Sequence, residues 1–143
     1  MAQTLQLAPA APRWQRMVGP AVTLGGLGAA TLALHFRDPH VQGSWGFCPS
    51  AALGIWCPGC GGLRAVNDLT NFQVADAASS NLLFVIALPL VLYGLARWVG
   101  DEWRGRSRVT DPRTARLVAS VVISALAVFT VLRNLPMFGW LAP

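Results

Sequence analysis

Charge is scarce in this chain: only 12% of its 143 residues are charged, and none of the eleven cations is lysine. A soluble domain usually carries about 25% charged residues, so this scarcity, with a hydrophobic content of 54%, excludes an ordinary soluble globule. There are six acidic residues, and none falls inside an apolar run. That argues against the embedded carboxylates of transport pathways and proton relays. The two histidines, His35 and His40, offer no pair for haem, and no nucleophile–base set is visible. Cysteine is limited to Cys48, Cys57 and Cys60.

What the chain does have is three apolar blocks, at about 17–36, 82–99 and 117–133. The first is longer than the ~7–15 residues of a signal-peptide core. It ends in His35-Phe36-Arg37-Asp38 rather than in small residues, so a retained membrane helix is expected. Its glycines are tolerated in a membrane span and allow close helix approach. The second block contains Pro89, where a kink is expected because the ring removes a donor and crowds the preceding turn. The third is the shortest. At ~1.5 Å per residue it falls short of a hydrocarbon core of about 30 Å, so Thr114, Ala115 and other flanking residues are expected to share it.

The arginines orient the spans. Arg104, Arg106, Arg108 and Arg113 crowd the short segment 100–116, with Arg97 and Arg116 beside it, and such clusters stay in the cytoplasm. The N-terminal arm 1–16 is then cytoplasmic, while the loop 37–81 and the tail 134–143 face outward. The expected fold is an all-α integral protein of the plasma (inner) membrane. It has three transmembrane helices, an extracytoplasmic cysteine-containing loop and short interfacial helices. Because the arginines flank spans, topology explains them better than nucleic-acid binding does.

Within the loop, short helices are expected over Leu63–Leu69 and Val74–Ser80. Trp45, Phe47 and Trp56 suit the membrane surface, where Trp45 and Trp56 would contact lipid or a partner. Three chemistries fit the cysteines. A disulfide is the leading one, joining Cys48 to Cys57 or Cys60, or closing Cys57–Cys60. The longer loops gain more from closure, and an odd thiol is left over. Zinc is the second, with Cys57-x-x-Cys60 and Cys48 as ligands and His40 as the fourth. Thiol–disulfide exchange is the third, helped by the nearby helix start. Covalent haem is excluded because Gly61, not His, follows Cys60. Arg64 suits an anionic lipid head group or an acidic partner, or else an internal pair with Asp68 four residues on.

The segment Cys48-Pro49, then Cys57-Pro58-Gly59-Cys60-Gly61-Gly62-Leu63-Arg64-Ala65, resembles a bacterial family of small membrane proteins of unknown function. That family carries a CP…CPxCGxxRA signature, and the resemblance runs to about Pro89. The chain departs from the family pattern in having Phe72-Gln73 for Gly-Asp and Asn81-Leu82 for Asn-Pro. In size and layout it is also similar to the association factor of actinobacterial respiratory supercomplexes. That second resemblance implies a non-catalytic accessory subunit beside larger integral subunits, a cytochrome bc complex and a terminal oxidase, with lipid around it. No cofactor is expected on this reading. The alternative is a thiol oxidoreductase or zinc-binding membrane protein using the three-cysteine loop.

Overall fold

The computed structural model describes residues 12–41, 49–106 and 110–142, which form helices and turns without a strand. Helix α1, Arg13–Phe36, follows the extended Pro12 and stops where Arg37 turns extended ahead of Asp38-Pro39. Two short helices follow, α2 at Pro49–Ala52 and α3 at Gly62–Thr70. Helix α4 runs from Val74 to Arg104, and α5 from Pro112 to Arg133. A 3-10 segment, Pro136–Leu141, closes the described chain.

The expected and observed spans differ where local chemistry overrides hydropathy. Helix α5 begins at Pro112 because Asp111 caps it, its carboxylate accepting from the Thr114 amide at 3.3 Å, and proline suits the first helical position. Its 22 residues, at ~1.5 Å each, reach the length that the apolar block alone lacked. In α4 the backbone leaves helical dihedrals at Asn81 (φ −160°, ψ 92°) and not at the expected Pro89, which lies inside the helix. The segment is thus a short helix 74–80 joined at Asn81 to a long apolar one.

α1, α4 and α5 are each long and apolar enough to cross a membrane, with mean hydropathies of 1.6, 2.1 and 2.2. Within the chain, no more than 11% of any of these apolar windows is buried. The buried set is instead rich in polar groups: Asn67, Asp68, Ser80, Asn81, Asp101 and Arg133. Large apolar side chains outside and polar ones inside is the reverse of a soluble domain. It is the arrangement expected of an apolar surrounding, where polar groups must satisfy one another.

Helices α1 and α4 run antiparallel. At one end Arg13 lies over the Trp103 ring at 5.4 Å, and the Arg16 guanidinium sits against Gly105. At the other, the Asn67 side-chain amide of α3 donates to the Leu34 carbonyl of α1 at 2.8 Å. Gly105 closes α4 in the left-handed conformation (φ 67°), where a β-carbon is strained and would displace the flexible tip of Arg16. Gly105→Ala is expected to cost about 1–2 kcal/mol, read as a lower unfolding midpoint in detergent micelles. An unchanged midpoint would show that the left-handed turn at Gly105 carries no stability that a β-carbon disturbs.

Helix α5 stands apart. Every residue from Pro112 to Val128 is exposed within the chain. Burial begins only at Phe129 and Arg133, where Arg133 reaches the cysteine turn.

Candidate functional site

The residues Trp56-Cys57-Pro58-Gly59-Cys60-Gly61 form two successive turns. The Cys60 amide donates to the Cys57 carbonyl at 3.1 Å, and the Gly62 amide to the Gly59 carbonyl at 3.0 Å. Gly61 then adopts the left-handed conformation (φ 77°), which glycine enters without a β-carbon penalty, and α3 starts immediately after it. The turn brings the Cys57 and Cys60 sulfurs to 3.2 Å, with Cys57 half-buried and Cys60 buried. The Ser50 hydroxyl lies 3.9 Å from the Cys60 sulfur. The hydrogen bond with Cys60 holds the Cys57 thiol below its ordinary pKa; Ser50 and the Gly59 and Cys60 amides add to this, and burial opposes it.

Three side chains from outside the turn grip its backbone. From the break in α4, the Asn81 side-chain amide donates to the Pro58 carbonyl at 2.9 Å and to the Cys60 carbonyl at 3.0 Å. The Asn81 oxygen accepts from the Phe84 amide at 2.9 Å, capping the long apolar part of α4. From the end of α5, Arg133 Nη1 donates to the carbonyls of Cys57 (2.9 Å) and Cys60 (3.1 Å). Next to it, Asn134 pairs with the Trp56 backbone in both directions. It accepts from the Trp56 amide and donates to the Trp56 carbonyl, each at 2.9 Å. The guanidinium of Arg133 also lies over the Phe129 ring at 4.9 Å.

A second polar cluster sits where α3 meets α1 and α4. Asp68, 2% exposed, has one oxygen 2.8 Å from His40 Nε2, and its other oxygen accepts from the Ser80 hydroxyl at 2.9 Å. His35 Nδ1 and the Thr70 hydroxyl are 3.1 Å apart. An open cleft of about 440 Å³ lies beside these residues, lined by His35, Asp38, His40, Asp68, Asn71 and Asp76 among others. Among the described residues, no three of His, Cys, Asp and Glu group so as to hold a metal ion.

The structure therefore brings Cys57 and Cys60 together. Cys48 and Trp45 lie outside the described residues, and the expected pairings of Cys48 lie there with it. His40, expected as a fourth metal ligand, hydrogen-bonds Asp68. Arg64 is half-buried, and both oxygens of Asp68 are engaged by His40 and Ser80 rather than by an Arg64 pair. Trp56 contributes its backbone to the grip of Asn134. Sequence reasoning missed Arg133 and Asn134, read Asn81 only as a departure from a family pattern, and gave Asp68 to Arg64 rather than to His40 and Ser80. The available signals were a lone arginine ending an apolar run and an asparagine opening one.

Residues 48–95 match the model of a family described as a protein of unknown function (DUF2752). The match spans the cysteine turn, α3 and the first two-thirds of α4. No curated protein and no solved structure matches the chain.

Proposed function

We propose that this protein is a non-catalytic accessory subunit of a larger membrane assembly. The observation that carries the reading is α5: a helix long and apolar enough to span a membrane, exposed from Pro112 to Val128 within its own chain. Lipid can cover such a face, yet a polytopic chain commonly packs its spans on one another. One solitary span is better suited to a neighbouring subunit. Ser120 and Ser124, four residues apart and exposed, would let another helix approach closely. The cysteine turn, fixed by Asn81, Arg133 and Asn134, would serve as a rigid docking element beside that helix.

The arginines at 97, 104, 106, 113 and 116 favour the cytoplasm for the segment between α4 and α5, which puts the cysteine turn outside. The resemblance in size and layout to a supercomplex association factor suggests a respiratory electron-transport assembly, with a cytochrome bc complex and a terminal oxidase as neighbours. Purification of the full chain in mild detergent is expected to bring larger integral subunits with it, and haem absorbance in the same fraction. Recovery of the chain alone from native membranes would sink this reading.

A further inference from the structure

Arg133 is more deeply buried than its own hydrogen bonds explain. It is 2% exposed, and only Nη1 is hydrogen-bonded, while Nε and Nη2 have no hydrogen-bond partner; the Phe129 ring below it supplies no formal anion. No carboxylate pairs with it among the described residues. A buried cation with unmet donors is unfavourable unless an anion forms beside it. The thiols of Cys57 and Cys60 sit on the turn whose carbonyls it already holds. The missing anion is therefore best supplied by a thiolate.

We propose that Cys57 and Cys60 are a redox-active dithiol that exchanges with low-molecular-weight disulfides, with Arg133 as the buried cation that stabilises the Cys57 thiolate. Cys57 is the more accessible sulfur and the attacking one; Cys60, 3.2 Å away and buried, resolves the mixed species. Balanced, the Cys57 thiolate attacks one sulfur of an incoming disulfide R–S–S–R. A Cys57–S–S–R bond forms, and RS⁻ leaves to be protonated by water. Cys60 gives its proton to water and attacks the Cys57 sulfur, forming the Cys57–Cys60 bond and expelling a second RS⁻. Two protein thiols are oxidised by two electrons, and one external disulfide is reduced to two thiols. The groups that lower the Cys57 thiol are Cys60, Ser50 and the amides of its own turn; Arg133 is the charged side chain that α5 brings onto that same turn. This site goes beyond the accessory role, and neither depends on the other.

The test uses the isolated full chain in detergent, so its outcome is separate from whether larger subunits co-purify. The chain is equilibrated with oxidised and reduced glutathione in varying ratio, alkylated, and mapped by peptide mass. A Cys57–Cys60 disulfide that forms and reverses with the ratio, in the natural chain and in Cys48→Ser, is expected. No such disulfide at any ratio, or a fixed Cys48 bond occupying either partner, would overturn the proposal. The pH profile of Cys57 alkylation tests Arg133. Both carbonyls keep a second donor without it, the Cys60 amide on Cys57 and Asn81 on Cys60, so Arg133→Met should leave the turn folded. Arg133→Met is expected to move the profile to higher pH and slow alkylation near neutrality about tenfold, equivalent to about one pKa unit; Arg133→Lys is expected to restore most of it. An unchanged profile in Arg133→Met would remove the arginine from the mechanism.

Discussion

Asn81→Ala is expected to lower stability by about 3 kcal/mol, measured by denaturant unfolding in micelles. The cost has two parts. Losing the cap on the Phe84 amide removes about 1 kcal/mol. Losing the amide donor orphans the Pro58 carbonyl, worth about 1–3 kcal/mol when no water can replace it. The Cys60 carbonyl adds little, because Arg133 still donates to it. Asn81→Ser separates the two parts: a hydroxyl can cap, but it is too short to span two carbonyls. It is expected to recover only the capping share. If Asn81→Ala unfolds within about 0.5 kcal/mol of the natural chain, the size of an ordinary surface change, Asn81 is not the keystone of the turn.

Asp68→Ala is expected to cost a similar amount, about 3 kcal/mol, through a different mechanism. Its removal leaves the buried Ser80 hydroxyl without an acceptor, a penalty of about 1–3 kcal/mol. The bond with His40 contributes less, because the His40 side chain is 42% exposed and solvent screens the pair. Asp68→Asn keeps the shape but faces one of two donors with its own NH₂ group, so it is expected to lose roughly half as much. Hydrogen exchange in α3 and unfolding midpoints would measure both. A full loss in Asp68→Ala with none in Asp68→Asn would show that packing, rather than the acceptor pair, holds α3 against α4.

The spans were readable because a membrane asks little of a sequence beyond a long apolar run. Their ends were less readable. Capping by Asp111 lies outside the apolar block, and the break in α4 is set by an asparagine side chain while a nearby proline drew attention instead. The cysteine pair was readable from its C-x-x-C spacing. The groups that give it a setting were not, since Arg133 and Asn134 reach it from more than seventy positions away. Periodicity reports which face a residue occupies and carries no record of such a meeting. A charge at the end of a span reads as a boundary marker, and only the fold shows Arg133 turned inward.

Helix α5, gripped near one end and bare along the rest, is mechanically a lever with its fulcrum at the cysteine turn. Its 22 residues amount to an arm of about 33 Å at ~1.5 Å per residue. A tilt of roughly 10° at Arg133 and Asn134 would sweep the far end through on the order of 6 Å. Small changes in the backbone of Trp56–Cys60 would therefore be magnified along the helix. Whatever lies against the far end of α5 would register them as displacement.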